Sequence, residues 1–276
     1  MKYHIERNSV EETLIIPLFA RSKSNSLYPR IYKDETASNL IDSLDYDFSN
    51  VEKSSRKLFY RFGYLEVACR QNDISIEINE YLSKYPKASI VNLGCGLDSL
   101  ASRYASSNNK VYNLDFKSVI DIRNKLLPPK ENEFNLACDI NVTNWFNDID
   151  SSNGVIFFAS GVFYYFRFNQ VKDLIDKMAK QFPNGRLAFD IANKKASKLI
   201  KKTWLKKAKI KDVDSYLYLS NAKKELSNSS IEVSSKGYML GYNSLKDKSI
   251  PRLFRLLAKL GDKFMKMQIV RIDFKG

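Results

Sequence analysis

Histidine is nearly absent from this 276-residue chain, which contains only His4, and cysteine is scarce. The three cysteines, Cys69, Cys95 and Cys138, are an odd number without a CxxC pair, so neither a disulfide framework nor a zinc site is expected. We predict no bound metal, because a histidine-based centre is excluded. No apolar run approaches the roughly 18 residues of a membrane span, and residues 14–19 are too short for a signal-peptide core. A cytoplasmic location is therefore expected.

The charge is distributed unevenly along the chain, whose net charge is +14. Residues 1–193 hold 24 basic and 24 acidic side chains, whereas residues 194–276 hold 21 and 7. Nine lysines within residues 194–211 alternate with apolar residues at helical spacing, which predicts a basic amphipathic helix. This helix suits a lid over an anionic substrate, a solvated face, a nucleic-acid surface or a weak contact with an anionic membrane.

Strands and helices alternate from residue 86 onward, which indicates a doubly wound, mostly parallel α/β sheet. The segments with strand character are 88–94, 110–115, 133–140, 154–160 and 187–193, and those with helical character are 97–107, 116–127 and 167–182. Two further strand segments, near residue 231 and at 268–274, enclose a helical segment at 250–265. This closing pair is consistent with antiparallel additions to the sheet.

Three segments are expected within a single structural domain. Residues 1–85 read as a helical N-terminal cap over the ligand-binding edge of the sheet. Residues 86–193 form the Rossmann-like core. Residues 194–276 supply the basic lid helix and the closing strands of the same sheet.

Two of only ten glycines lie in the segment NLGCGLD, at the end of the first core strand. Gly94 and Gly96 either make a tight turn or let a ligand approach the backbone. Ser99 stands where a third glycine of a dinucleotide-binding pattern would be, which weakens the case for a pyrophosphate cofactor. Asp115 ends the second strand, where it can bind ribose hydroxyls, and Asp139 follows the third, beside an adenine amino group. The alternative is that each aspartate is an ordinary surface-loop residue. Together, the glycine loop and the two strand-ending aspartates favour an adenosine-containing ligand.

Several longer segments resemble a known family. They are VNLGCGLDS (91–99), LDYDF (44–48), CRQNDISIEINEYLSKYP (69–86), YNLDFKSVIDIR (112–123) and QFPNGRLAFD (181–190). They resemble the leucine carboxyl methyltransferase and polyketide O-methyltransferase-like family of class I S-adenosylmethionine (SAM) enzymes. The resemblance covers nearly the whole chain and implies a seven-stranded Rossmann-like sheet.

The resemblance also implies a cofactor site for SAM, with S-adenosylhomocysteine (SAH) as product. Arg70 would pair with the cofactor carboxylate, although a surface ion pair is its alternative. The other implied residues are Gly94, Cys95 and Gly96 under the methionine part, Asp98 after them, Asp115 at the ribose and Asp139 beside the adenine.

The chain departs from the family pattern at two positions. Ser160 replaces the acidic residue that usually follows the fourth strand, and Lys117 replaces a frequent proline. Ser160 remains a cofactor-binding candidate, and it is a weak catalytic candidate together with Tyr164 and Tyr165. A hydroxyl acceptor benefits from a general base, whereas a carboxylate acceptor is already ionised.

The sequence therefore predicts a SAM-dependent O-methyltransferase acting on a small-molecule hydroxyl or carboxylate, with an anionic acceptor favoured by the lysines. A SAM-binding or basic-surface interaction protein without catalysis is one alternative, motivated by Ser160. An RNA methyltransferase is another, although no DPPY, NPPY or Pro-Cys motif is present and nucleic acid is not the expected partner. The oligomeric state stays open.

Overall fold

A computed structural model describes residues 2–5, 10–49, 52–53, 57–200, 216–237 and 239–276. The strands are β1 Tyr3–His4, β2 Leu44–Asp45, β3 Ser89–Leu93, β4 Val111–Asp115, β5 Glu133–Ala137, β6 Val155–Ala159, β7 Arg186–Ile191, β8 Ile231–Gly237 and β9 Gln268–Phe274. Seven of them form one sheet in the order β5-β4-β3-β6-β7-β9-β8, while β1 and β2 make a separate parallel pair.

The predicted seven-stranded, doubly wound sheet is confirmed. Strands β3 to β7 are parallel, and β9 lies antiparallel to both β7 and β8. Every residue of β3 and of β6 is buried, as expected for central strands covered on both faces. The strand order reverses between β3 and β6, so their carboxyl ends border the crevice in which this architecture binds ligands.

The helices are α1 Val10–Leu27, α2 Glu35–Ser43, α3 Leu58–Lys84, α4 Lys117–Leu126, α5 Phe168–Gln181, α6 Lys194–Ile200, α7 Ala222–Leu226 and α8 Arg252–Met265. The longest helix, α3, packs against β6, β7 and β9. Its buried residues include Cys69 and Ile74, which join the main hydrophobic core. This packing therefore fixes the position of Arg70 relative to the sheet.

The helix predicted over residues 97–107 is wrong. Only a single 3-10 turn, Ala101–Arg103, forms there. The buried Arg123 donates from Nη1 to the carbonyl oxygens of Gly96, at 3.0 Å, and Asp98, at 2.7 Å. Because a side chain from α4 occupies these acceptors, the segment is held as a loop rather than as a helix.

The predicted basic helix over 194–211 is described only in its first part, α6, and residues 201–215 lie outside the described structure. Within the described ranges, no helix is both long enough and apolar enough to cross a membrane.

Candidate active site

The loop that follows β3 is shaped by two glycines. Gly94 and Gly96 have φ values of +65° and +49°, in the left-handed region that glycine enters at low cost. A Cβ at Gly94 would lie 2.7 Å from both methyl carbons of Val162, so a larger residue does not fit. Among the described residues, a Cβ at Gly96 would meet only Leu14, at an ordinary 3.5 Å. Backbone conformation therefore favours glycine at both positions, and packing against Val162 is an additional reason at Gly94.

Two further residues of this loop, Cys95 and Asp98, form hydrogen bonds within the protein. The N–H of Cys95 donates to the carbonyl of Leu114 at 3.0 Å, and burial raises the pKa of its thiol. The buried carboxylate of Asp98 accepts from Gln71 Nε2 and from the N–H of Leu100, both at 2.9 Å. These contacts give Cys95 and Asp98 a role in holding the loop.

Asp115, at the end of β4, lies directly against the glycine loop. Its Oδ2 accepts from the N–H of Gly96 and its Oδ1 from the N–H of Phe116, each at 2.8 Å. Burial raises the pKa of Asp115, while the two N–H donors and Arg123 act in the opposite direction. Each carboxylate oxygen keeps a second lone pair, so the group can accept further hydrogen bonds from a ligand.

Asp139 lies beyond β5 at the same edge of the sheet. Its Oδ1 accepts from the backbone N–H of Asn141 at 2.9 Å and from its Nδ2 at 3.0 Å. The N–H of Cys138 donates to the carbonyl of Asp115 at 2.8 Å, which joins the two strand ends. The sequence prediction did not include Phe116, whose ring is exposed beside Asp115; an aromatic residue directly after a strand-ending acid was the available signal.

Arg70 reaches the turn that follows β6 and meets a partner that was not predicted. Its Nη1 lies 3.3 Å from Oδ2 of Asp190, whose carboxylate is buried near the end of β7. Oδ1 of Asp190 accepts from the N–H of Gly161 at 2.5 Å. Gly161 has φ +73°, and a Cβ there would lie 3.1 Å from Arg70 Nη1. Asp190 thus joins α3, β7 and the turn after β6, and the buried acid within LAFDIAN was its only sequence signal.

Ser160 and the two tyrosines border the same turn. Ser160 Oγ is buried and has no hydrogen-bond partner in the described structure. Tyr164 is buried, and burial together with the nearby carboxylate of Asp190 raises the pKa of its hydroxyl well above the ordinary value. Tyr165 is 45% exposed, and its partial burial also raises the pKa of its hydroxyl. Raised pKa values make both phenols hydrogen-bond donors near neutral pH rather than bases.

A partly buried carboxyl group lies one helical turn before Arg70. Burial raises the pKa of Glu66 to about 8; the nearby Arg70 lowers it and Asp262 raises it. His4, by contrast, lies on β1, where its Nδ1 is 3.1 Å from Oδ2 of Asp45 in an exposed pair. Among the residues that the structure describes, no group of three His, Cys, Asp or Glu side chains is arranged to hold a metal.

The model of the leucine carboxyl methyltransferase family matches residues 18–179, more than half of the chain. The chain belongs to the leucine carboxyl methyltransferase family. It is a SAM-dependent methyltransferase.

Two relatives support the family. The tetracenomycin polyketide synthesis O-methyltransferase of Streptomyces glaucescens is 25% identical over 187 residues, which cover 67% of each chain. The SAM-dependent methyltransferase dpfgK of Gibberella zeae is 25% identical over 207 residues, 68% of each chain.

Solved structures share the fold of this methyltransferase. A protein from Thermobifida fusca, proposed to be a methyltransferase, has a TM-score of 0.59 at 12% identity and covers 98% of this chain and 99% of its own. The plantazolicin methyltransferase BamL, determined with a triazolic desmethylPZN analogue and SAH, has a TM-score of 0.54 at 12% identity over 97% and 99% of the two chains.

The site of this family member fits the cofactor. Gly94 and Gly96 are partly exposed, Ser160 Oγ is a buried hydroxyl without a partner among the described residues, and each oxygen of Asp115 accepts one hydrogen bond from the protein. A guanidinium at Arg70 and a carboxylate at Asp115 are the groups that an amino-acid carboxylate and a ribose require.

Proposed function

We propose that this methyltransferase transfers the methyl group of SAM to an oxygen atom, a hydroxyl or a carboxylate, of a small-molecule acceptor. The observation that carries the proposal is the convergence of Asp115, the Gly94–Gly96 loop and Arg70 at one edge of the sheet, with no imidazole among them. The Streptomyces glaucescens relative is an O-methyltransferase of polyketide synthesis, which supports an oxygen acceptor.

The cofactor would be held by groups of opposite charge at its two ends. Asp115 accepts hydrogen bonds from the ribose hydroxyls through the lone pairs that the N–H groups of Gly96 and Phe116 leave free. Arg70 pairs with the amino-acid carboxylate, with its guanidinium oriented by Asp190. Gly94 and Gly96 let the backbone lie against the methionine part.

The adenine would lie between the ends of β4 and β5. Asp139 accepts from the exocyclic amino group, and the exposed ring of Phe116 offers a flat apolar surface. Asp98, which the resemblance assigned to the cofactor site, acts in this proposal by holding the loop through Leu100 and Gln71.

SAM, when bound, supplies a methyl group on a sulfonium, which an acceptor oxygen attacks from the opposite side. The protein aligns that oxygen and excludes water from it. In this proposal Ser160, which follows β6, and Tyr165, which lies near Arg70, border the acceptor, and the buried Tyr164 lies beside Asp190.

The acceptor decides whether a base is needed. A carboxylate is already ionised at neutral pH and requires none, whereas a hydroxyl loses a proton during transfer. The tyrosines are poor candidates because their pKa values are raised. Glu66, one helical turn before Arg70, has a pKa raised to about 8, so it is mostly protonated at neutral pH and could take up this proton only in its ionised form, which predominates above about pH 8.

The test uses SAM with a labelled methyl group and a panel of phenols, aliphatic alcohols, carboxylic acids and RNA. Label that mild alkali releases as methanol is in a methyl ester, whereas alkali-stable label is in an ether or on nitrogen or carbon, which NMR of the product distinguishes. Transfer to a small hydroxyl or carboxyl compound is the expected result. Transfer to carbon or nitrogen only, or to RNA only, would overturn the proposal.

Calorimetric titration with SAH separates cofactor binding from catalysis. Binding without transfer to any acceptor favours the non-catalytic alternative, which the serine at position 160 motivates. A cytoplasmic location, absence of a nucleic-acid partner and the lid role of the 194–211 segment remain parts of the proposal. Cell fractionation and salt-dependent retention on RNA test the first two.

A further inference from the structure

Helix α8 exposes a continuous apolar stripe to solvent. Its members are Leu253, Leu256, Leu260 and Phe264, with 46%, 54%, 44% and 56% of their surfaces exposed. At 3.6 residues per turn they fall within an arc of about 80°. Four large apolar side chains aligned on one exposed helix face are more than the scattered single residues found on ordinary protein surfaces.

The opposite face of α8 already packs against the protein. Phe254 and Ala258 are buried, and the ring of Phe254 lies 5.7 Å from that of Phe62 on α3. The exposed stripe is therefore additional to the face that holds the helix in place.

A row of cations runs beside the stripe. Arg252, Lys259 and Lys263 are exposed and follow one another at helical spacing. The Nζ of Lys263 lies 5.5 Å above the ring centre of Phe264. Asp262, the acidic residue of α8, points away from this row, because its carboxylate faces Gly237 of β8. An apolar stripe bordered by lysine and arginine is the pattern of a helix that lies in the headgroup region of an anionic membrane.

We propose that α8 docks this protein on an anionic lipid surface, with the stripe of Leu253, Leu256, Leu260 and Phe264 in the acyl boundary and the adjacent cations on the headgroups. The charge of residues 194–276, 21 basic against 7 acidic side chains, attracts the protein to such a surface. A second copy of the chain is a poorer occupant, because a symmetric contact would bring the same basic rows close together. The proposal is independent of the identity of the acceptor.

Docking through α8 would bring the ligand-binding edge of the sheet near the bilayer. The carbonyl oxygens of Met265 and Phe264, at the end of α8, accept from the backbone N–H and Nδ2 of Asn193 at 3.0 and 2.8 Å. Asn193 follows the carboxyl end of β7, the strand that carries Asp190. The membrane-facing helix and the candidate active site therefore share one edge of the molecule.

The experiment measures sedimentation of the 276-residue protein with vesicles of phosphatidylcholine alone or mixed with phosphatidylglycerol. We expect binding to the mixed vesicles only. The double variant Leu256→Ser/Leu260→Ser should bind about tenfold or more weakly, because two leucines no longer enter the apolar layer. Lys259→Glu/Lys263→Glu should also weaken binding, and its remaining affinity should depend less on salt.

Two matched variants control for general effects of charge and apolar surface. Lys177→Glu/Lys180→Glu changes the net charge equally on exposed positions of α5, and Val142→Ser removes an exposed apolar residue beyond β5. Both should bind vesicles as the wild type does. Thermal unfolding and SAH titration show whether each variant is folded.

Three results would overturn the docking proposal. The first is no binding of the wild type to mixed vesicles. The second is undiminished binding of Leu256→Ser/Leu260→Ser, which would reduce the effect to nonspecific charge. The third is a concentration-dependent dimer that the same double variant abolishes while vesicles capture neither protein, which would assign the stripe to a second copy of the chain.

Discussion

Arg70 and Asp190, 120 positions apart in the chain, are joined by a contact of 3.3 Å between Nη1 and Oδ2. The carboxylate is buried and also accepts from the N–H of Gly161, so the guanidinium is held at the turn after β6. The buried carboxylate fixes the orientation of the guanidinium. The other N–H groups of Arg70 are therefore oriented by the protein and not by the ligand.

The first prediction concerns which part of the cofactor Arg70 binds. Arg70→Met should weaken SAH about tenfold or more, because a charge-assisted hydrogen bond pair is lost. Binding of methylthioadenosine, which lacks the amino-acid carboxylate, should not change. Calorimetric titration with both compounds checks this, with Lys84→Met on the same helix as control. Equal losses for both compounds would show that Arg70 supports the site in a general way.

Asp190→Asn extends this test to the residue that orients Arg70. Asparagine keeps the size of the side chain and an acceptor for the N–H of Gly161, but it removes the charge that faces the guanidinium. We expect a smaller loss of SAH affinity than for Arg70→Met and again none for methylthioadenosine. An unchanged affinity for SAH would mean that Arg70 is positioned without Asp190.

The second prediction concerns Asp115. Asp115→Ala should weaken both SAH and methylthioadenosine about a hundredfold, since both contain the ribose and two charge-assisted hydrogen bonds are lost. The matched control is Asp121→Ala on α4, where only a surface pair with Lys117 is removed. If Asp115→Ala binds both compounds normally, the carboxylate serves only the N–H groups of Gly96 and Phe116.

The third prediction separates the two loop glycines by stability. Gly94→Ala places a Cβ against Val162 in left-handed backbone, so it should lower the free energy of unfolding by about 2 kcal/mol or more. Gly96→Ala meets only the backbone cost of about 1 kcal/mol. Urea unfolding of both variants and of Gly94→Ala/Val162→Ala measures this. The double variant should regain part of the loss, and equal stability of the two single variants would contradict the steric explanation.

The fourth prediction is a pH dependence of stability that arises from Glu66. Its pKa is raised from 4.5 to about 8 in the folded protein, so the folded state holds a proton that the unfolded state releases across this range. The contribution is complete below about pH 4.5 and is lost as the pH rises through about 8.

Glu66→Gln has no ionisable group at this position. The thermal midpoint of the variant minus that of the wild type should therefore increase between pH 5 and 8 and stay constant above pH 8. Thermal unfolding across this range measures the difference, with Glu35→Gln as an exposed control whose pKa is lowered instead. Parallel midpoints of wild type and Glu66→Gln at every pH would show that the carboxyl is not protonated in the fold.

The parallel strands could be predicted from the sequence because buried strands are apolar runs. The segment 154–160 reads as a central strand, and β6 is buried throughout. The same pattern predicts that Asp115 ends the second strand of the core, whereas its hydrogen bond from the N–H of Gly96 is a finding of the structure.

The segment 97–107 could not be predicted in the same way. Its residues permit a helix, but Arg123 from a later helix occupies the carbonyl oxygens near its start. Backbone propensity carries no information about a donor that arrives from elsewhere in the chain. The role of Asp190, an acid within an apolar strand, could not be predicted for the same reason. Its partners Arg70 and Gly161 come from other parts of the chain.

The sequence by itself determined the sheet, the loop after its first core strand and the family, because apolar runs, glycines and strand-ending acids are local features. Only the tertiary structure decided which groups meet across the site and which apolar residues stay uncovered. The spacing of apolar residues in the sequence predicts that α8 is amphipathic. Packing against Phe62 covers only one part of its apolar surface and leaves Leu256 and Leu260 exposed to solvent. Burial is a property of what the rest of the chain places next to a residue, and no short stretch of sequence contains it.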